Sequence, residues 1–180
     1  MVRSNKDAWV DAGFTLLRDG GEDALTIERL CAALVKTKGA FYHHFESVDV
    51  YLSALLEAWE ERNTRDPIAK TEAGETTASR RRALSVAVKR LDSRLDLAVR
   101  AWGLRDRRVR ERVERVDEMR IQHLASLFPD KVPTRRRELL ARLEYAAFLG
   151  AQQLDPTFSR RDSRQVERLL VEALAFLERA

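Results

Sequence analysis

Apolar residues recur every three or four positions along most of the chain, which is the spacing of one face of an α-helix. With this period the sequence predicts a first helix over residues 6–18, closed by a pair of glycines. Thr26 and Thr37 each stand before a short apolar run, where a threonine hydroxyl can accept a hydrogen bond from a free amide of the first helical turn. The pattern therefore predicts two short helices, through residue 33 and over residues 38–44.

The remainder of the pattern predicts longer helices. Ser47 opens a long helix that ends before Pro67, and residues 66–77 lose the apolar repeat, which predicts a loop between two parts of the molecule. Beyond this loop the repeat predicts four helices, over residues 78–102, 105–128, 134–154 and 163–179. We therefore predict an all-α fold in which two short helices and a tight turn, braced by the first helix, form a helix-turn-helix.

Composition narrows the class of protein. The 180 residues are 44% apolar and 34% charged, with 7 Gly and 4 Pro, which argues against a disordered chain and against a turn-rich β protein. The longest apolar runs fall far short of the roughly 20 residues that a membrane-spanning helix needs. No apolar run follows the basic N-terminal residues, as it would in a signal peptide. We expect a cytoplasmic protein with no membrane partner.

The net charge of +4 is unevenly distributed along the chain. Residues 1–50 hold 6 Lys or Arg against 8 Asp or Glu, a net charge of −2, whereas residues 51–180 hold 27 against 21, a net charge of +6. The basic excess therefore lies in the C-terminal part. Overall basicity is only a weak indication of a polyanionic partner and does not locate a nucleic-acid site.

Residues that could carry catalysis or bind a metal are few. His43 and His44 are adjacent on a predicted helix, so their side chains point about 100° apart, and His123 and the single cysteine, Cys31, belong to other elements. One cysteine cannot form an internal disulfide or a cysteine-rich zinc site. The chain has no zinc or di-iron helix motif, phosphate-binding glycine loop or nucleophile elbow. We therefore expect no enzyme activity, no metal and no cofactor.

Two sequence stretches carry a recognisable pattern, TIERLCAA at residues 26–33 and TKGAFYHHF at residues 37–45. With this spacing they resemble the helix-turn-helix of the tetracycline-repressor-like (TetR) family of transcriptional regulators. Gly39 has no side chain, which allows close approach to a DNA duplex, while Phe41 and Phe45 lie four residues apart on the opposite side of the helix. An aromatic-rich helical corner without DNA-binding function is the alternative explanation of the same residues.

The resemblance implies roles for individual residues. Lys38, Ala40 and His43 would face base edges in the major groove, where a small residue such as alanine can meet a thymine methyl group. Phosphates would be held by Thr26, Thr37, Tyr42 and His44, and phosphate contacts set register rather than sequence preference.

Three positions depart from the family pattern. Val35 stands at a turn position that is usually glycine, Lys36 at a position that is usually apolar, and Val48 where a phosphate-binding lysine is usual. Valine fits poorly into a left-handed turn, so either the turn differs or its backbone is strained. Loss of the lysine should weaken the salt-sensitive part of DNA binding, and an exposed Lys36 would compensate for it.

The C-terminal helices predict an interface and, less specifically, a ligand site. Small and apolar residues line one face of each of the last two helices, and the resemblance implies a homodimer interface that includes Leu143, Ala147, Gly150, Leu154, Val166, Leu170, Ala173 and Leu177. Completion of a monomer core is the other explanation of these faces. Side chains that could line an effector cavity are Trp59, Trp102, Met119, His123, Tyr145, Phe148 and Gln152.

These observations lead to one leading hypothesis and two alternatives. We expect residues 1–46 to form a DNA-binding unit and residues 47–180 a helical ligand-binding and dimerisation domain. The chain would then be a dimeric, ligand-responsive repressor whose two recognition helices enter successive major grooves of a pseudo-palindromic operator in double-stranded DNA. The effector would be a small molecule of unknown identity. One alternative is a helical protein-interaction module of the same fold that has lost operator reading. The other is a helical bundle that binds or transforms a small molecule.

Overall fold

The computed structural model describes residues 5–154 and 160–179, and within these ranges the chain forms helices and loops but no strand. The helices are α1 (Asn5–Gly20), α2 (Ile27–Leu34), α3 (Lys38–His44), α4 (Val48–Glu60), α5 (Asp66–Glu72), α6 (Thr77–Val88), α7 (Ser93–Gly103), α8 (Arg107–Ser126), α9 (Thr134–Leu154) and α10 (Arg160–Arg179). A 3-10 turn covers Glu22–Ala24, and a π-helical segment, Glu61–Arg65, joins α4 to α5. The all-α prediction is confirmed.

One compact unit comprises Met1–Asp66 and Leu91–Val116. Its core contains four aromatic residues, each at most 2% exposed: Trp9 of α1, Phe41 of α3, Phe45 directly after α3, and Tyr51 of α4. The Tyr51 hydroxyl donates a hydrogen bond to the Trp9 carbonyl oxygen, at 3.0 Å. This approach requires Gly13, because a Cβ atom there would lie 2.0 Å from the Tyr51 hydroxyl oxygen. The aromatic core fixes the short helices α2 and α3 against α1.

A second compact unit comprises Pro67–Arg90 and Asp117–Ala180. Its core is aliphatic and aromatic, formed by Ile121, Leu124, Phe128, Val132, Leu140, Ala141, Tyr145 and Leu174. Arg81 lies over the Phe128 ring and donates hydrogen bonds to Glu144 and to the Leu127 carbonyl oxygen. Arg136 on α9 donates to the Leu177 carbonyl oxygen, which ties α9 to α10.

The structure corrects the loop that was expected over residues 66–77. The helix that begins after Ser47 does not end before Pro67 but continues through the π-helical segment into α5, and only residues 73–76 connect it to α6. The Asp66 amide donates to the Glu61 carbonyl oxygen, five residues back. Pro67 is therefore the second residue of a new helical segment, a place where its missing N–H is tolerated.

The helix expected over residues 78–102 is two helices, α6 and α7, separated at residues 89–92. Asp92 caps α7 by accepting a hydrogen bond from the Leu95 amide, at 3.1 Å. This N-cap competes with continuation of α6, because an aspartate preceding a helical turn satisfies amides that would otherwise have no partner. The division into functional domains after residue 46 stays a prediction.

Among the helices that the structure describes, none combines the length and the apolar composition that a membrane-spanning helix requires.

Candidate nucleic-acid interface

The α2–turn–α3 segment begins each of its helices with a side-chain cap. The Thr26 hydroxyl oxygen accepts a hydrogen bond from the Arg29 amide at 3.3 Å, and the Thr37 hydroxyl oxygen accepts one from the Ala40 amide at 3.2 Å. Both threonines remain exposed. The caps fix where α2 and α3 begin, which explains why their positions could be predicted so closely.

The turn between these helices is closed by Val35 in a left-handed conformation, with φ 53° and ψ 48°. The Val35 amide donates to the Ala32 carbonyl oxygen and the Lys36 amide to the Cys31 carbonyl oxygen, at 3.3 and 2.9 Å. These are the two hydrogen bonds of a Schellman motif, in which glycine is the usual left-handed residue. The turn thus keeps its shape with valine in place of glycine, and its backbone is strained.

Helix α3 has one buried side and one exposed side. Phe41 is fully buried and packs edge-on against Trp9, with ring centroids 5.5 Å apart. Lys38, Tyr42 and His43 are exposed, and Gly39 between them has room for a Cβ, which would meet only the Thr37 hydroxyl at 3.7 Å. Packing within the protein therefore does not require glycine at position 39.

The structure places the nine predicted DNA-binding residues on this segment, but not all are equally accessible. Seven are exposed: Thr26, Lys36, Thr37, Lys38, Gly39, Tyr42 and His43. Ala40 is half-buried and packs against the aromatic core, so only part of its methyl group faces outward. His44 is half-buried as well, between the rings of His43 and Phe45.

Glu28 belongs to the same exposed surface and was not identified from the sequence. Its carboxylate accepts a hydrogen bond from the Lys38 ammonium group across the α2–α3 corner. This hydrogen bond is the main reason why the pKa of Glu28 lies below, and that of Lys38 above, its ordinary value. A charged pair ten residues apart leaves no periodic signal, and only the tight turn brings the two together.

Two further acidic residues lie just outside the helix-turn-helix, and each is paired with an arginine near the start of α8. Glu22 precedes α2 and accepts a hydrogen bond from Arg105 at 2.7 Å, while Asp49 in the first turn of α4 accepts one from Arg108 at 3.2 Å. A hydrogen bond that the Glu22 carboxylate accepts from its own backbone amide, followed by the bond from Arg105, lowers the pKa of Glu22. Position 48, where the family pattern has lysine, is a half-buried valine.

The residues expected at a dimer interface divide into two groups. Leu143, Gly150, Leu154, Val166 and Ala173 are exposed, whereas Ala147, Leu170 and Leu177 are half-buried. Leu170 and Leu177 pack against the core of the second unit. Residues 139, 143, 146, 150 and 154 form an apolar stripe on α9, and residues 166, 169, 173 and 176 form one on α10, each repeating at three or four positions.

The residues expected to line a ligand cavity do not lie in one compact unit. Trp59 and Trp102 are buried in the first unit, whereas Met119, His123, Tyr145, Phe148 and Gln152 belong to the second. Within the second unit the Tyr145 ring stacks on Phe148, with centroids 6.2 Å apart, and its hydroxyl donates to Asp117 at 2.6 Å and accepts from Arg120 at 3.0 Å.

Two other members of this set have distinct surroundings. His123 is half-buried and its Nε2 lies 3.0 Å from the Thr71 hydroxyl oxygen; burial lowers the pKa of His123. The Gln152 side-chain oxygen is buried without a hydrogen-bond partner among the residues that the structure describes. Over the same ranges, no group of three or more His, Cys, Asp or Glu residues could hold a metal ion.

Comparison with known proteins finds a relative of a short part of the chain and solved structures of similar fold. No family model matches the chain. YwcC of Bacillus subtilis (strain 168), named as an uncharacterized HTH-type transcriptional regulator, is 43% identical over 51 residues, which are 28% of this chain. The match spans 23% of that relative, about a quarter of its length.

Solved structures resemble nearly the whole chain. A transcriptional regulator assigned to the TetR/AcrR family matches with a TM-score of 0.76 at 17% identity, over 96% of this chain and 97% of its own. The reduced form of E. coli NemR matches with a TM-score of 0.72 at 17% identity, over 94% and 96%. A Rhodococcus sp. protein assigned to the TetR family matches with a TM-score of 0.70 at 16% identity, over 96% and 98%.

Proposed function

The chain has the fold of the TetR/AcrR-family transcriptional regulators, and from this premise we propose that it binds operator DNA through α3 as a ligand-responsive repressor. One observation carries the proposal. Helix α3 buries Phe41 on one side, and its other side exposes Lys38, Tyr42 and His43. Threonine N-caps fix the starts of both α2 and α3. A helix held in this way can enter a major groove without disturbing the core behind it.

The exposed residues divide by the part of DNA that each can contact. Lys38 and His43 carry donors suited to base edges, and the exposed part of Ala40 suits a thymine methyl group. The hydroxyl groups of Thr26, Thr37 and Tyr42, with Lys36 and His44, suit phosphate oxygens and would set the register on the duplex. Residues 1–46 are then the DNA-binding unit, and residues 47–180 the regulatory part.

The proposal includes a homodimer through the stripes on α9 and α10. Leu143 is 48% exposed and Leu169 is 56% exposed, and neighbours along each stripe are also apolar. Water contact with two such stripes is unfavourable, and apolar surface of this kind marks an interface. The small residues Ala146, Gly150 and Ala173 would let helices of two copies approach closely. A dimer of this kind presents two α3 helices to two half-sites.

Regulation would involve a small-molecule effector, bound at Tyr145 and the residues around it. If an effector lowers affinity for DNA, the same free-energy coupling requires that DNA lower affinity for the effector. A repressor acts on chromosomal DNA, so the proposal includes a cytoplasmic location. A module that only binds other proteins would keep the fold without a preference for any DNA sequence.

The test is DNA binding by variants of the exposed side of α3. Fluorescence anisotropy with duplexes from the DNA upstream of its own gene, at two salt concentrations, would compare wild type with Lys38→Ala and Tyr42→Ala. We expect both variants to bind more weakly, while thermal unfolding stays close to that of wild type because both side chains are exposed. Arg135→Ala, an exposed cation on α9, is the matched control.

Wild-type affinity from both variants would show that α3 is not the recognition helix. Failure of the wild-type protein to prefer any duplex would instead favour the protein-interaction module.

A further inference from the structure

The acidic residues on either side of the helix-turn-helix face a cluster of arginines from a distant part of the chain. We call Arg105, Arg107 and Arg108 the arginine corner, which lies where α7 is followed by α8. Arg105 reaches Glu22 and Arg108 reaches Asp49, although the two partners are separated from them by 83 and 59 residues in sequence. All of these residues belong to one compact unit. The corner therefore lies along the flank of the helix-turn-helix.

Arg108 is held in place and still open to solvent. It donates to Asp49 at 3.2 Å and to Asp106 at 3.4 Å, which uses two of the five N–H donors of a guanidinium group. Its side chain is 67% exposed, and that of the neighbouring Arg107 is 80% exposed. An arginine oriented by carboxylates, with donors left over, has the geometry for a bidentate contact with a phosphate group.

The position of Arg108 relative to α3 is set by its partner. Asp49 follows His44, the last residue of α3, by five positions, and Val48 beside it offers no charge. A DNA backbone that runs past the end of α3 would meet the Asp49 carboxylate there without Arg108. The positive charge beside this carboxylate is supplied by Arg108 of the arginine corner. The first 50 residues carry 6 basic against 8 acidic side chains, so they have no excess of positive charge of their own.

We propose that Arg108 is a DNA phosphate contact supplied from outside the helix-turn-helix, taking the place of a cation at the start of α4. The inference rests on the proposed function, since it concerns the same DNA. The charge of Lys38 on α3 is already engaged by Glu28, so a further cation near the start of α4 would add to the attraction for the phosphate backbone. Arg107 adds a further positive charge next to Arg108 in the sequence, whereas the charge of Arg105 is paired with that of Glu22.

The experiment measures how DNA binding by the full chain depends on salt. The probe is a duplex that the wild-type protein selects from a random-sequence pool, and the variants are Arg108→Ala, Arg108→Lys and the control Arg135→Ala, which removes the same charge from α9. We expect Arg108→Ala to weaken binding at least about tenfold at low salt. The slope of log affinity against log salt should fall by about 2 for a dimer, since each phosphate contact contributes roughly 0.9.

The three variants separate a direct contact from its alternatives. Arg108→Lys should restore most of the slope because it keeps the charge, and Arg135→Ala should leave the slope unchanged. An unchanged slope in Arg108→Ala would overturn the proposal. So would wild-type affinity and slope in the double variant Asp49→Asn/Arg108→Ala, because Arg108 would then only neutralise Asp49. If the wild-type protein selects no duplex at all, the proposed function itself fails.

Discussion

Replacing Val35 by glycine should stabilise the protein, which is unusual for the loss of a whole side chain. Val35 is 91% exposed, so the substitution removes almost no packing. Its φ of 53° lies in the left-handed region, where an L-residue is disfavoured by roughly 1–2 kcal/mol, and a β-branched side chain is worse placed still. Glycine adopts this conformation at no steric cost.

The net gain is smaller than the strain that is relieved. Glycine loses more backbone freedom on folding, which costs about 0.5–1 kcal/mol. The difference between these two ranges is a stabilisation of about 0–1.5 kcal/mol, provided that the two Schellman hydrogen bonds of the turn are kept. Because valine is β-branched, we expect a value in the upper part of this range. For a chain of this size, 1 kcal/mol corresponds to a rise in Tm of about 2–4 °C.

Urea unfolding followed by tryptophan fluorescence is the suitable assay. Trp9, Trp59 and Trp102 all belong to the compact unit that contains Val35, so the signal reports on that unit. We expect the midpoint of Val35→Gly to rise without a change in the m-value. Val35→Ala is the control, because it removes the β-branch but keeps a side chain at positive φ, and it should gain less. An unchanged or lower midpoint for Val35→Gly would refute the strain argument.

Three other variants test separate parts of the structure. Glu28→Gln should free Lys38 and tighten binding to mixed-sequence DNA severalfold in anisotropy measurements, and weaker binding would instead make Glu28 a contact to DNA. Leu143→Glu should shift the protein from dimer to monomer in sedimentation velocity, and a stable wild-type monomer at micromolar concentration would contradict the interface. Burial lowers the pKa of His123, so as the pH falls the unfolded state takes up the proton before the folded state does. The free energy of unfolding should therefore decrease as the pH drops below about 6.5, the ordinary pKa of histidine. In urea titrations at several pH values, His123→Gln should make this decrease smaller.

Local signals explain what could be predicted from the sequence. The bounds of α3 follow from the Thr37 cap and from Phe41 and Phe45, which lie one helical turn apart. The strained turn could be anticipated too, because valine stands where the helix must end in a left-handed residue. In these cases the physical cause lies within a few residues of its effect.

The misplaced elements have causes that are not local. Pro67 predicted an end to the helix, but the π-helical segment before it shifts the hydrogen-bond pattern so that α5 can start there. The break after α6 depends on a single cap, Asp92, which also binds Arg18 of α1 at 2.6 Å. Likewise, the pairs Glu28–Lys38 and Asp49–Arg108 arise only when the chain folds. Charged residues without periodicity cannot be paired from sequence alone.

A hydroxyl-radical footprint of the wild-type protein on DNA from upstream of its own gene tests the central claim most directly. A dimer that reads DNA through two α3 helices predicts two protected half-sites whose centres lie about 34–36 Å apart, or a multiple of that spacing. Protection should disappear with Tyr42→Ala at the same protein concentration. Uniform protection without half-sites, or the same footprint from Tyr42→Ala, would contradict the account.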